Sequence, residues 1–431
     1  MRYVVTSTLG GEDAYCGDLY TSAHRGRESV MFQYSQEWQS AGYPLSPDLP
    51  LQSAPFSSAQ GFCELRAFED CMPDRWGRNL LRRDERLKAA DEARTPRMLL
   101  ESDYLVGVSD LTRQGAIRIW SEDGRALEDG RRGVPREVDL PDLLRAADLA
   151  AEDLDADIRD LIDAGSSLGG ARPKASIKDK DGNLYICKLP KTDETGAGDV
   201  CAWEHVAMTL AGRFGIRTPE SRLVRIGQRS ALLVRRFDRE GERRIPYISG
   251  MTAVSGNDGG TYSLLDLAQF IESYGAHAES DLVALWHRAL FTCAVGNTDN
   301  HMRNYGFLMD DHGWTLAPQF DVNPTPALTG AQLACGVDDA DFSADPELAV
   351  EAAGLYRVDE AQALMACSSL ARVLDGWRAV ATRNGLSGLA AETMASRFDG
   401  AARQLSEIVG KRMTPEVESE MRRRKRSGLH P

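Results

Sequence analysis

The chain has no run of eighteen apolar residues anywhere in its 431 positions, so no helix is expected to span a membrane. Its first residues, MRYVVTSTLGGED, carry no apolar stretch of signal-peptide length. Cysteine is sparse and scattered, at positions 16, 63, 71, 187, 201, 293, 335 and 367, with no C-x-x-C. Zinc-finger spacing and the dense pairing of a secreted scaffold are both absent, which leads to the expectation of reduced, buried thiols in a cytoplasmic protein. Basic charge is in deficit: 51 Lys and Arg face 65 Asp and Glu, a formal net charge of -14. An overall field of that sign should not grip nucleic acid, so any DNA contact would need a local patch or a basic partner. The remaining composition, 42% hydrophobic and 27% charged, excludes disordered and fibrous classes. The length allows two or three domains of about 150 residues, large enough to fold without disulfide or metal staples.

Four stretches differ in character. Residues 1–120 are rich in short β-like runs, punctuated by Gly10-Gly11, Gly17, Pro44, Pro47, Pro50 and Pro55. An arginine-dense helix is predicted from Asp74 to Arg86, then a segment Leu99–Val108 and a strand Ala116–Trp120. Residues 121–136 suggest a linker, and 139–164 an amphipathic helix. From 137 to 240 the pattern is a small β-rich lobe: the Gly- and Ser-rich GSSLGGARPKASI (165–177), a hairpin turn at Lys180-Asp181-Gly182-Asn183, and the strand LYICKL (184–189). A helix Ala202–Phe214 closed by Gly215 follows, then strands Arg222–Ile226 and Ser230–Phe237. From 241 to 415 the chain reads as a helical lobe, with helices over 263–275, 280–296, 359–384 and 389–412. Residues 416–431 form a tail that includes Arg422-Arg423-Arg424-Lys425-Arg426, expected as a solvated end.

The chemistry concentrates in GNTDNHMRN (296–304), where Asp299 and Asn304 are spaced D-x-x-x-x-N, and in PQFDV (318–322), where Asp321 lies seventeen residues further on. Phosphoryl transfer from ATP needs an acid beside the attacking hydroxyl, and an amide and a carboxylate to hold magnesium on the phosphates. Protein kinases supply these groups in this order. One D-x4-N pair alone is as well read as a turn with capping side chains. Upstream, however, Lys188 sits inside an apolar strand, and Glu204 lies sixteen residues later in a predicted helix. A strand lysine with a helix glutamate is the kinase device for the α- and β-phosphates. Singly, each is as well read as a surface residue. The loop from Gly165 has small residues whose backbone N–H groups could approach phosphates. It is neither G-x-x-x-x-G-K-[ST] nor a G-x-G-x-x-G opening a helix. The four features in one order point to ATP-dependent phosphotransfer.

GSSLGGARPKA, CKLP, VRRFDR, GNTDNH-x-x-N and PQFDVNP resemble the HipA toxins, bacterial serine/threonine kinases of toxin–antitoxin pairs. LSPDLPL (45–51) and FEDCMPDRWGRNLLRR (68–83) are similar to the family's first subdomain. The resemblance spans roughly 1–415 and implies an α+β, protein-kinase-like two-lobed fold. A β-rich lobe bears the Gly-rich loop, a helical lobe follows it, and a small β-rich subdomain comes first. Carried over by position, it makes Asp299 the catalytic base and Asn304 and Asp321 the Mg²⁺ ligands. Lys188 would touch the α- and β-phosphates of ATP, and backbone near Arg235 and Phe237 would hold the adenine. Ser167, Leu168, Gly169, Gly170, Ala171 and Lys174 would belong to the phosphate loop. Glu204 and His301 are counted with the nucleotide site, although His301 is as well read as a structural histidine of the catalytic loop. Ser167, or its neighbour Ser166, would be the autophosphorylated serine. Arg172-Pro173 departs from the family, which can have a glutamine–glutamate pair there.

Three readings follow. In the first, the chain is a serine/threonine kinase toxin acting on a cellular protein and on its own loop. In the second, it is a weakly active or inactive co-repressor bound to a basic helix-turn-helix, HipB-like antitoxin, touching DNA only through that complex. In the third, it is a small-metabolite kinase of the aminoglycoside type, although Gly296-Asn297-Thr298 precedes the Asp where that class has a His ahead of it.

Overall fold

Alternation builds the first sheet. In RESVMFQY (Arg27–Tyr34), every second residue from Glu28 to Tyr34 is buried, the period of a strand with one face on a core. Five antiparallel strands lie side by side in the order Phe56–Ser58, Arg27–Tyr34, Glu12–His24, Arg2–Leu9 and Arg118–Ser121. Leu19, Phe32, Trp38, Phe68, Leu105 and Ile119 fill the core behind them, with the rings of Phe32 and Phe68 edge-to-face at 5.1 Å.

The computed structural model describes residues 1–125, 127, 133–152, 161, 172–327, 330–386 and 388–426. Chain contacts divide it into two units. The first comprises Met1–Thr192, Ala231–Asp258 and Gly306–Asp311; the second comprises Asp193–Ser230, Gly259–Tyr305 and His312–Pro431.

In the first unit, the arginine-dense helix runs over Arg75–Asp91, capped by Asp74, and is followed by the helices Glu101–Val106 and Leu140–Ala151. Most of the predicted 152–164 extension lies outside the described residues. The hairpin Lys174–Lys178/Leu184–Lys188 forms at the expected turn. The Asp179 carboxylate accepts the N–H groups of Asp181 and Asn183, and Gly182 supplies a φ of 84°. Leu184–Lys188 then pairs antiparallel with Arg229–Arg235. A strand unseen in the sequence, Gly306–Asp310, pairs with Tyr247–Ser249.

A buried ionic cluster ties residues 105–118 to 236–244. Arg236 and Arg239 flank the Asp238 carboxylate at 2.5 and 2.9 Å, and the Gly115 N–H donates to it at 2.8 Å. Arg236 also donates to the Thr112 carbonyl, and Arg244 pairs with Asp110 at 2.9 Å. Arg113, 1% exposed, donates to the carbonyls of Leu105 and Val108.

The second unit is mainly helical. Val200–Phe214 starts at an Asp199 cap and stops at Gly215, φ 99°, a left-handed closure suited to glycine. Leu264–Tyr274, Ala278–Val295 and Leu389–Arg412 fall close to their predicted spans. The single helix expected over 359–384 is two, Glu360–Asp375 and Trp377–Arg383, broken at Gly376. There the Trp377 ring packs against Phe398 at 5.0 Å and its indole N–H donates to Asp399. The lobe also has short strands, Tyr262–Ser263 pairing parallel with Cys335–Gly336. The tail is helical over Pro415–Arg426, with Arg422 and Arg423 exposed to solvent. Arg422 pairs with Glu418, Arg423 with Glu420, and Arg424 with both Glu420 and Asp359, turn-to-turn pairings that support a helix. All eight cysteines are free thiols. Among the described residues no helix is long and apolar enough to cross a membrane.

Candidate active site

The D-x4-N segment begins where the helix Ala278–Val295 ends. Gly296 closes that helix at φ 65°, and a Cβ there would stand 2.5 Å from the Arg397 guanidinium carbon. Glycine therefore meets both a backbone and a space requirement. Arg397 donates to the carbonyls of Thr325 and Pro326, and the Thr325 hydroxyl donates to the Gly296 carbonyl at 2.6 Å. Asn297 accepts the Asn323 N–H at 3.3 Å, and the Thr298 carbonyl accepts the Ala334 N–H. Asn300, 1% exposed, clasps the Cys335 backbone twice: its amide donates to the carbonyl at 2.8 Å and its oxygen accepts the N–H at 3.2 Å. The segments 296–304 and 321–335 are thus bound together within the second unit.

On this frame Asp299 is exposed, its carboxylate 3.9 Å from the Nε2 of His301. The Asn304 side-chain amide donates to the Asp299 carbonyl at 2.7 Å. That bond fixes the amide nitrogen on the loop and turns the Asn304 oxygen the other way, the end a hard cation would take. Asp321 has φ 57°, a left-handed conformation uncommon for a residue with a Cβ and a frequent mark of functional loops. The Asn323 side chain donates to its carboxylate at 2.9 Å. The chain leading to it is held by Arg288, whose guanidinium donates to the Ala317 carbonyl at 2.6 Å, and by Asp281, which accepts the Leu316 N–H. Burial lowers the Arg288 pKa to about 10. Among the described residues no three His, Cys, Asp or Glu side chains cluster as a metal site. Mg²⁺ is commonly held by one or two protein oxygens together with phosphate, and the Asn304 and Asp321 oxygens are chemically suited to that. Glu204 is buried in the helix Val200–Phe214 of the same unit.

The first unit carries the other candidates. Lys188 ends the strand Leu184–Lys188, buried, opposite Leu232 on one side and Lys174 on the other. Lys174 pairs with Asp74 at 3.1 Å. Burial raises the Asp74 carboxyl pKa, against the pull of Lys174 and the Gly77 N–H. Arg235 is exposed and donates to the Asn183 side chain, and the Phe237 ring lies 6.1 Å from Tyr247. Ser166, Ser167, Leu168, Gly169, Gly170 and Ala171 lie outside the described residues.

Sequence reasoning named candidate groups in the loop and missed its clasps, Asn297, Asn300, Thr325 and Arg397. The asparagine-rich run GNTDN was the one available signal. Asn300→Ala should cost about 2–4 kcal/mol, since two buried backbone groups lose their partner. A urea titration against wild type measures it, and a loss below 0.5 kcal/mol would mean the clasp is dispensable.

Residues 166–400 match the family model of the HipA-like C-terminal domain, and residues 12–100 match that of the HipA N-terminal domain. A putative kinase of Sinorhizobium fredii, Y4mE, is 26% identical over 328 residues, covering 69% of this chain and 73% of its own. The serine/threonine-protein kinase toxin HipA of Shewanella oneidensis is 22% identical over 365 residues, covering 76% and 77%. Among solved structures, the chain is similar to one from the Shewanella oneidensis complex of HipA, HipB and operator DNA. The TM-score is 0.64 at 20% identity, over 94% of this chain and 97% of that one, a likeness of fold.

Proposed function

The chain belongs to the HipA family of kinase toxins, and from that premise we propose that it is an ATP-dependent serine/threonine protein kinase, the toxin of a toxin–antitoxin pair. The observation that carries this reading is the Asp299 loop. Asp299 has an exposed carboxylate while its backbone carbonyl accepts the Asn304 side-chain amide, and the Asp321 segment is tied to the same loop through Asn323 and Asn297. Phosphoryl transfer is chiefly positioning and charge stabilisation, and this frame sets three groups of the required kinds.

Asp299 accepts the proton of the attacking serine or threonine hydroxyl as its oxygen forms the bond to the γ-phosphorus. The Asn304 oxygen and the Asp321 carboxylate would hold Mg²⁺, which when bound neutralises charge on the phosphates. Lys188 would touch the α- and β-phosphates, and backbone near Arg235 and Phe237 would hold the adenine. The acceptors are a cellular protein and Ser167 or Ser166 of the chain's own loop. A phosphate there adds about -1.5 to -2 charge at pH 7, which the neighbouring ATP phosphates repel, so the modified protein should bind ATP poorly. The partner is a basic helix-turn-helix antitoxin. A chain of net charge -14 is complementary to such a protein and reaches DNA only through it. The setting is the cytoplasm.

Intact-mass spectrometry after incubation with Mg-ATP tests this. Wild type should gain phosphate, the Ser167→Ala variant should not, and ATP affinity should fall in step with modification. If wild type neither gains phosphate nor modifies any protein in an extract, the kinase reading is wrong.

A further inference from the structure

The strand leaving the glycine-rich segment brings a second lysine to Lys188. Lys174 lies directly opposite Lys188 in the antiparallel ladder, so both side chains leave the same face of the sheet with Cβ atoms about 5 Å apart. Both residues are buried, at 4% and 9% exposure. Two ammonium groups opposed in such a place repel each other, and burial strengthens the repulsion.

Asp74 answers this from the N-terminal region. Its Oδ2 stands 3.1 Å from the Lys174 Nζ, and the two side chains are 1% and 5% exposed. The carboxylate is itself fixed, because Asp74 caps the helix Arg75–Asp91 and its Oδ1 accepts the Gly77 N–H at 2.8 Å. Trp76 and Leu80 anchor the start of that helix in buried surroundings. The resemblance put Lys174 in the phosphate loop; the geometry gives it a carboxylate partner.

We infer that Lys174 is a charge-neutralised strut rather than a phosphate ligand, and that Asp74 is a positioning residue which lets Lys188 keep its charge and direction beside it. The inference rests on the reading of Lys188 as the phosphate lysine. Remove the Asp74 charge and Lys174 becomes a competing cation beside Lys188. It can draw phosphate toward itself, holding the nucleotide as firmly but out of line for transfer.

The experiment compares wild type, Asp74→Asn, the double variant Asp74→Asn/Lys174→Met, and Lys188→Met. The readouts are Mg-ATP and adenosine affinity by calorimetry, kcat for ATP turnover, and Tm. Asparagine still caps the helix, which keeps Asp74→Asn folded. It should lower kcat about tenfold or more, as a misaligned reactant does, with Mg-ATP affinity held or tightened and adenosine affinity unchanged. The double variant removes both charges and should recover kcat and Mg-ATP affinity to within roughly threefold of wild type, the coupling expected of residues in contact. If it instead loses Mg-ATP as Lys188→Met does, Lys174 is a ligand and the inference falls alone. A drop in Tm with unchanged kcat in Asp74→Asn also overturns it, leaving a purely structural pair. If Lys188→Met leaves Mg-ATP affinity intact, the nucleotide reading of Lys188 fails first and takes this inference with it.

Discussion

Asp299→Asn should reduce phosphotransfer by about 10²–10⁴-fold, the range for losing a general base, while Tm and Mg-ATP affinity stay at wild-type values. The separation follows from the way the loop is built. What holds the loop is backbone and asparagine: the Asp299 carbonyl receives the Asn304 amide, and Asn300 clasps Cys335. The Asp299 side chain is 73% exposed, so its charge is not needed for folding. Asparagine has the same shape and cannot take a proton. Single-turnover autophosphorylation, followed by intact mass, gives the rate. A variant that transfers phosphate within tenfold of wild type would remove Asp299 from the base role. A variant that loses Mg-ATP binding would make it a nucleotide or metal group instead.

Asp238→Ala should be the most damaging stability change, costing about 3–5 kcal/mol, because it strands buried guanidinium charge. Arg236 and Arg239 are both buried against this carboxylate, and the Gly115 N–H also depends on it. Burial alone would raise the Asp238 pKa; Arg236 and Arg239 outweigh it and hold the group well below the usual carboxylate range. A depressed acid contributes stability in full above its unfolded pKa, about 3.9, and loses that contribution as the pH falls toward the folded value. The wild-type advantage over Asp238→Ala in urea unfolding should therefore be constant from pH 5 to 7 and shrink below about pH 4. An advantage that is already small at pH 7, or that grows in acid, would show that the arginines find other partners.

How legible all this was in the sequence depended on how local each signal is. The helix Val200–Phe214 was readable because its stop, Gly215, is a single residue with a single job. The turn Lys180–Asn183 was equally local: the carboxylate of Asp179 and the backbone of Gly182 make it. Asp299, Asn304 and Asp321 could be named as candidates because phosphotransfer demands particular residue types at a short spacing. The strand Gly306–Asp310 was not, since its partner Tyr247–Ser249 lies far back in the chain. Nor was the break at Gly376, which goes with Trp377 packing onto a ring twenty-one positions ahead, Phe398. The pairing of Asp74 with Lys174 spans a hundred residues, and no periodicity reports such a contact. In the basic run 422–426 the solvated arginines were legible and the helix was not: its signal is the glutamates one turn earlier, which pair with them.

The first unit is assembled from three separated stretches of chain, the last being Gly306–Asp311. Its strands Leu184–Lys188 and Tyr247–Ser249 take partners from Arg229–Arg235 and Gly306–Asp310. Translation runs from the N-terminus, so this unit cannot finish folding until Gly306–Asp311 has left the ribosome, by which time Asp193–Ser230 and Gly259–Tyr305 of the second unit have also emerged. Tyr247–Ser249 must wait with an open edge until Gly306–Asp310 is made, the condition under which nascent chains recruit chaperones or aggregate. A nascent chain arrested before residue 306 should therefore be more protease-sensitive around Tyr247–Ser249 than one in which residues 306–311 have emerged.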